Sequence, residues 1–591
     1  MKRWLLKRNY QNLSKMAQVL GVREATACVL ANRGIHSSLQ AQQFLQGGFL
    51  PGNASLMKDF EKGIQLIAQA IREQKKIVVY GDYDVDGVMS STILYRTIRL
   101  LGGNVTTYVP HRQKEGYGLN EKAVETLAQE HTEVLFTCDN GIAAAREVAL
   151  AKEKGMTVVV LDHHEPPFEE GAGGEKRDIL PEADAVIDPK QKHCAYPFSS
   201  LCAAGIAYRF AVALLETFGK MDQKERKQLM TFAAIATVCD IVDLLGENRE
   251  MVRCGIHLLE QTENLGLQML IEETGLAEKK LTEYHMGFII GPCINATGRL
   301  ESAAAAVELF CTEDPQKARA DAKELVELNA ERKQMTAQAA ERAILQAEEG
   351  IYAEDRVLVL YDPEVHESIA GIVAGRVKDR LYRPTLMITN AEDGAKGSAR
   401  SIEGYDIFQE LSKCKDLFTR FGGHAMAAGF SLPVDNIGPL RERLNAACTL
   451  TKLELMPVLR IEKELSFSEI DLKLAMELKA LAPFGKGNPV PLFGSKNILV
   501  ERFDFIGASG DILRMTLREE QSGTFLSAIR FDGKEDFLLR LKELYSPENY
   551  DKIMMSGKVP MPMDFVYSID VNTYNGRNSV QLMLKDFRWS K

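Results

Sequence analysis

Residues 80–87 read YGDYDVDG and set three carboxylates, Asp82, Asp84 and Asp86, within a five-residue stretch. Like charges this close repel, and the arrangement is stable only where a cation offsets them. Gly81 and Gly87 allow tight turns that aim the carboxylates at one point. An exposed acidic turn is the bland alternative. A calcium loop is another, because D-x-D-x-D-G opens an EF-hand. That motif requires a glutamate six residues after the glycine and helices on both sides. Here position 93 is Ile93, and the preceding KKIVVY is an apolar, β-branched run of the kind that forms a buried parallel strand.

Two further predicted strand ends carry polar groups of the same kind. Residues 137–141 read TCDNG and residues 161–166 read LDHHEP. A lone histidine is usually structural. His163 and His164, adjacent and following Asp162, stand where α/β sheets collect ligands, at the carboxyl ends of strands. Asp240 closes the apolar run FAAIATVC, where an unpaired buried carboxylate would be costly. The nearby Asp243 reads as a cap or surface residue. Carboxylates with one or two imidazoles suit manganese or magnesium better than zinc or copper. Two such ions about 3.5–4 Å apart activate water and stabilise the leaving oxygen of a phosphodiester.

The elements that must position these groups follow from the pattern. Strands at 75–80, 134–137, 157–161 and 185–187 alternate with helices at 88–101, 121–130 and 143–154, which predicts a doubly wound parallel sheet. Residues 1 to about 70 read as helical, with amphipathic pieces at 14–20 and 39–45. Helices are also expected at 205–218 and 228–238. Asp314-Pro315 caps a long, charged, alanine-rich helix over 316–349 that bridges two domains. A fresh α/β pattern runs from 356 to about 450. After residue 455 the short alternating runs 498–506, 513–517, 524–531, 561–570 and 579–584 predict a small β-barrel. At about 150 residues per domain, 591 residues make about four units.

Composition narrows the class further. No apolar stretch reaches the ~18–20 residues of a membrane span, and the basic start lacks an apolar core and cleavage site, so a cytoplasmic protein without membrane attachment is expected. None of the ten cysteines forms a C-x-x-C pair, which argues for reduced thiols and against structural zinc. A net charge of −10 excludes a protein that coats nucleic acid with its whole surface, but not one with a local basic channel.

Asp162-His163-His164 resembles the motif of the DHH phosphoesterases. GDYDVDG, TCDNG, DHHEP and residues 236–249 (ATVCDIVDLLGENR) are similar, in order, to that family's four metal-site motifs. HRQKEGYGLN (111–120), GPCINATGRL (291–300), HESIAGIVAGR (366–376), GSARS (397–401), FGGHAMAAG (421–429), PFGKGNPVPLF (483–493) and VNTYNGRNSVQLMLKDF (571–587) resemble those members of the family that are exonucleases on single-stranded DNA. The resemblance runs from about residue 45 to the end. It implies that Asp82, Asp84, Asp139, His163 and Asp240 coordinate the metals. Asp86 would be a further ligand or an outer support, and Asp139 would bridge two ions of Mn2+ or Mg2+. His164 would touch the scissile phosphate, and Asp162 would orient a histidine. It also implies a DHH domain at 71–250 after an N-terminal helical region at 1–70. A helical region with the connecting helix spans 251–350, a DHH-associated substrate domain 351–452, and an oligonucleotide-binding (OB)-like barrel 457–591. The implied activity is 5′→3′ degradation of single-stranded DNA to 5′-mononucleotides in repair and recombination, with a single-strand-binding protein and a helicase as partners. Three positions depart from the family pattern: Tyr80 stands where some members have histidine, Cys293 where arginine is common, and Val365 where tryptophan is common.

Six basic residues stand against three acidic ones, Asp379, Glu392 and Asp393, between positions 376 and 400. They lead into GSARS, whose small residues let backbone N–H groups approach a phosphate. Gly422, Gly423 and His424, with Gly429, offer a second such loop. Arg112, Arg299, Arg376, Ser398, Arg400 and His424 are the candidate phosphate contacts, arginine because its planar fork binds phosphate through two hydrogen bonds. In the barrel, Phe484, Phe493, Phe531 and Tyr574 are candidate stacking residues, with barrel core the stronger reading for Phe493 and Phe531, and Arg577 a phosphate contact. Two other readings share the motifs: a hydrolase of very short phosphodiesters, which would not need a barrel, and a non-catalytic scaffold, which would have lost metal ligands.

Overall fold

The computed structural model describes residues 2–8, 13–48, 51–112, 115–116, 118–170, 175–391 and 394–590. Glu392 and Asp393 of the charge count lie outside the described residues. The chain divides into two compact units, residues 50–455 with 485–487, and residues 1–49, 456–484 and 488–591.

The larger unit contains a parallel sheet of Ile77–Tyr80, Val105–Tyr108, Val134–Cys138, Thr157–Leu161 and Ala185–Ile187. In space the Val105 strand lies at one edge, followed by the Ile77, Val134, Thr157 and Ala185 strands. The order therefore reverses between the first and third strands, and ligand sites form outside such a reversal. The loops after these two strands carry Asp82 and Asp139. Both faces are covered: Ile77, Val79, Val134 and Phe136 join one core, while Val78, Tyr80, Leu135 and Val160 join the other. This is why the strands are continuously apolar. The Val105–Tyr108 strand was not expected, because VTTY has polar residues at its centre and its edge position leaves it half-buried.

Helix Pro315–Glu348 is 34 residues long, roughly 50 Å. Asp314 caps it by accepting hydrogen bonds from the Gln316 and Lys317 amides. Its first half packs Ala318, Ala322 and Leu325 into the core of the first sheet, and its second half packs Ala339, Ala340, Ala343 and Ala347 against the next domain. Small residues supply the contacts, so the charged faces stay in water. The second sheet runs in the order Arg420–His424, Ala427–Leu432, Gly394–Arg400, Thr385–Ala391, Leu358–Tyr361, with only the last pair parallel.

In the smaller unit, Phe493–Ile506, Ile512–Glu519, Phe525–Arg530, Arg577–Trp589 and Val559–Tyr574 form a ring closed by pairing of the Val559 and Phe493 strands. Helices Lys534–Leu544 and Pro547–Ser556 interrupt the β pattern. The reading of residues 1–70 as helical is corrected at its start. Arg3–Leu6 is a strand, parallel to Val458–Ile461 and anchored where the Trp4 indole donates to Asp586 at 2.9 Å. Its partner lies 455 residues away, so no local pattern marks it. The core reading is correct for Phe493, which is fully buried, and wrong for Phe531, which is 56% exposed just past the end of its strand. Tyr574 and Arg577 stand exposed at a hairpin tip.

Candidate metal centre

Asp84 caps the helix Val85–Leu100, its Oδ1 accepting from the Asp86 and Gly87 amides at 2.9 and 3.1 Å. The positive end of that helix favours a carboxylate there. Gly87 is required by contact rather than by a turn. A Cβ at Gly87 would lie 2.4 Å from the Asp82 carbonyl oxygen, so only glycine lets the helix sit directly on the loop that aims Asp82. Both carboxylate oxygens of Asp86 are already engaged. They accept from the Ala203 and Ala204 amides at 2.7 and 2.8 Å, bracing the start of helix Ala203–Thr217.

Asp139 occupies the left-handed region, at φ 62°. Aspartate tolerates this region better than most residues, but the conformation still costs of order 1 kcal/mol, as is common at functional sites. Asp240 ends helix Gln223–Cys239, and Ile241 after it is also left-handed, at φ 57°, an unusual conformation for a β-branched residue. A carboxylate at the negative end of a helix is unfavourable without a cation.

These groups converge. Ligand atoms of Asp82, Asp84 and Asp139 lie within 4.8 Å of one another, as do those of Asp139, His163 and His164, and those of Asp86, His163 and Asp240. His163 Nε2 is 3.2 Å from Asp139 Oδ1, and its Nδ1 is 3.7 Å from Asp240 Oδ2. Burial, followed by repulsion from neighbouring aspartates, pushes Asp82 up to about 8 and Asp86 and Asp240 up to about 7, and Asp139 well above the carboxylate range. Burial lowers His163, leaving the neutral ring that binds metals. His163 Nδ1 and Nε2 and Asp82 Oδ1 are buried and make no hydrogen bond among the described residues. Buried polar atoms of this kind are normally satisfied. An oxygen-rich donor set with one imidazole fits Mn2+ or Mg2+.

Asp162 has a different task. Its Oδ1 lies 2.7 Å from His164 Nδ1, and its Oδ2 accepts from the Ile142 amide at 2.9 Å. Burial alone would lower His164, but the bond to Asp162 and its charge outweigh this and raise it to about 9. His164 is therefore a cation at neutral pH.

Three arginines gather beside the carboxylates. Arg112 lies 5.0 Å over the ring of Tyr83, the residue between Asp82 and Asp84. Arg299 donates to the Ser368 carbonyl at 2.6 Å, tying the first domain to the second. Burial, then Arg112 and Arg332, bring Arg299 down to about 10. A cleft of about 350 Å³ begins here, lined by Arg112, Ser368, Ser398, Gly422 and Gly429 among others. Arg376 lies on the exposed side of helix Ala370–Leu381, near Arg332, and His424 is exposed at a hairpin end; the lining of this cleft does not include them, Gly423, Arg299 or Arg400. The expected phosphate loops are strands. Residues 397–400 pair on both sides and 422–424 on one, so the ladder takes up amides that were expected to meet phosphate.

None of the three departures from the family pattern is among the clustered carboxylates and imidazoles. The Tyr80 hydroxyl donates to the Gly118 carbonyl at 3.0 Å on the far face of the sheet. Cys293 sits between its own helix and the long helix, bonded by Asn329 at 3.3 Å. Val365 is core. Two further groups belong to the site. Tyr83 lay inside the acidic motif itself. Asp188 follows the fifth strand, is fully buried and is pushed up to about 8 by burial and Asp162. The strand-end rule that picked out Asp82 and Asp139 applied to Asp188 as well.

Carboxylates and an imidazole at the switch point of a parallel sheet, faced by arginines and a second α/β domain, define a metal-dependent phosphoesterase. The chain matches the DHH family, N-terminal domain, over residues 76–237, the DHHA1 domain over 354–450 and the RecJ OB domain over 461–586. It is 35% identical to the single-stranded-DNA-specific exonuclease RecJ of Bacillus subtilis (strain 168), over 99% of this chain and 70% of that protein. It is 31% identical to the RecJ of Haemophilus influenzae, over 90% of this chain and 91% of that one. RecJ of Thermus thermophilus in complex with Mn2+ has the same fold, with a TM-score of 0.80 and 25% identity over 99% of this chain and 79% of that one. Its Mg2+ complex gives 0.74. The chain belongs to the RecJ family of single-stranded-DNA-specific exonucleases. Among the described residues no helix is long and apolar enough to cross a membrane.

Proposed function

We propose that the chain degrades single-stranded DNA from the 5′ end, one 5′-mononucleotide at a time. One observation supports this reading: Arg112, at one wall of the cleft, packs on Tyr83 between two of the carboxylates, where it would meet a terminal phosphate. A terminal phosphate held by Arg112, Arg299, Arg400 and Ser398 places the next phosphodiester at the carboxylates. Asp82, Asp84, Asp139, His163 and Asp240 would hold two divalent ions. Bound there, such ions lower the pKa of a water and screen the leaving oxygen. His164, charged and oriented by Asp162, meets the negative charge that develops on the scissile phosphate. Asp86 keeps the acidic loop and the helix start in register.

In this reading residues 71–250 carry the chemistry, 351–452 hold the strand's end, and the barrel of 457–591 binds single strands by charge and stacking. Very short phosphodiesters would not use such a barrel. The test is product analysis on single strands labelled at either end, with manganese or chelator. The 5′ label should be released first, as a mononucleotide, and only with metal. Earlier release of the 3′ label would overturn the direction.

A further inference from the structure

The open face of the second sheet is organised in rows. Residues opposite one another in paired strands share a face, and every second residue along a strand returns to it. The register sets Arg400 opposite Ala427 and Ala427 opposite His424. It sets Ser398 opposite Gly429 and Gly429 opposite Gly422, and Lys396 opposite Ser431 and Ser431 opposite Arg420. Successive rows are two residues, about 7 Å, apart. The first row carries the Arg400 grip. The second is a floor of Ser398 and two glycines, at which an added Cβ would meet nothing within 4 Å. The third is hydrophilic throughout.

The cleft that begins at Arg112 and Ser398 runs on to this third row, to Lys396, Ser431 and Arg420. Lys396 pairs with Glu367 at 2.8 Å. Arg420 is exposed and makes no ion pair or side-chain hydrogen bond among the described residues. Phe421 and Phe430 belong to the opposite, core face, where the Phe430 ring closes on Gly397. The far end of the cleft thus offers charge and hydroxyls, and the two phenylalanines that border it, Phe421 and Phe430, are packed into the core of the second sheet rather than standing free for a base to stack on. A terminal monophosphate gripped at the first two rows leaves the third row unused, and two more phosphates span the distance of one row.

We propose that the third row is a subsite for the outer phosphates of a 5′-polyphosphate, so that the protein accepts strands beginning with a 5′-triphosphate and releases the first nucleotide as a nucleoside triphosphate. This rests on the 5′-end reading above. The water oxygen joins the phosphorus of the first internucleotide linkage, the P–O3′ bond breaks, and the 3′ oxygen leaves with a proton. The anhydride phosphates are untouched, and the shortened strand carries an ordinary 5′-monophosphate.

The experiment is single-turnover release of the first nucleotide by the full chain with manganese, from strands that differ only in a 5′-monophosphate or a 5′-triphosphate. Wild type should release nucleoside triphosphate at a rate within about threefold of the monophosphate. Arg420→Ala should slow the triphosphate strand about tenfold, the scale of one charge-assisted contact, and leave the monophosphate strand unchanged. Arg420→Lys should restore part of the loss. Free nucleoside triphosphate should compete with monophosphate strands for wild type and not for Arg420→Ala. Equal rates for wild type and Arg420→Ala on the triphosphate strand would overturn the subsite. Competition by free nucleotide without cleavage of triphosphate strands would overturn its role in strand ends. Failure of wild type on the monophosphate strand would instead be a failure of the exonuclease reading.

Discussion

The Nδ1 of His164 lies 2.7 Å from Oδ1 of Asp162, whereas the ring of the adjacent His163 makes no hydrogen bond among the described residues. Two neighbouring histidines therefore have opposite chemistry, one held as a cation and one kept neutral. Asp162→Asn removes the charge that raises His164. Activity should fall about 10–100-fold, the usual cost of losing such a supporting partner. The alkaline limb of the pH–rate profile, set near 9 by His164, should move toward lower pH. A limb that stays in place would show that His164 does not act as a cation.

Asp139→Asn keeps a residue tolerant of the left-handed backbone while removing one charge from a crowded anionic pocket. Cleavage should drop by about 10²-fold or more, as for loss of a central electrostatic group. The metal-free protein should melt no lower than wild type, and the rise in melting temperature on adding manganese should shrink. A lower metal-free melting temperature with an undiminished manganese response would contradict the placement of Asp139.

The raised carboxylates fix the sign of a pH effect. Asp82, Asp86 and Asp240 hold protons in the folded, metal-free protein up to about pH 7–8, whereas the unfolded chain releases them near the ordinary value of 3.8. The folded state binds more protons across that window, so this contribution makes stability fall as pH rises through it. Metal competes with those protons. Manganese should therefore raise the melting temperature more at pH 8 than at pH 5.5, in paired thermal melts of metal-free and loaded protein.

Arg112→Ala should weaken binding of 5′-phosphorylated strands by about 1.5–3 kcal/mol, the range for a hydrogen bond to a charged group, and have little effect on strands ending in a 5′ hydroxyl. Arg112→Lys should restore only part of the loss, because a lysine lacks the planar fork. Equal losses on both kinds of end, in equilibrium binding with metal chelated, would place Arg112 elsewhere on the strand.

Local patterns made the centre legible. A strand that ends in carboxylates announces itself within ten residues, and the ordered motifs placed Asp82, Asp139, His163 and Asp240 in one family before their distances were known. Properties set by distant neighbours were not legible. The role of Gly87 comes from the approach of a helix to the Asp82 carbonyl, which no turn rule describes. GSARS has a loop-like composition but is a strand, because its partners lie on both sides at 385–391 and 427–432. Arg3–Leu6 likewise needed a partner 455 residues away. Tyr83 carries no signal of its own in the sequence; that its ring seats Arg112 is visible only in the structure.

The most direct test of the two-ion centre is anomalous diffraction from crystals grown with manganese. The arrangement predicts two peaks in the pocket, with Asp139 contacting both, Asp82 at one and His163 and Asp240 at the other. A single peak that Asp139 does not touch, or no manganese among these four side chains, would contradict it.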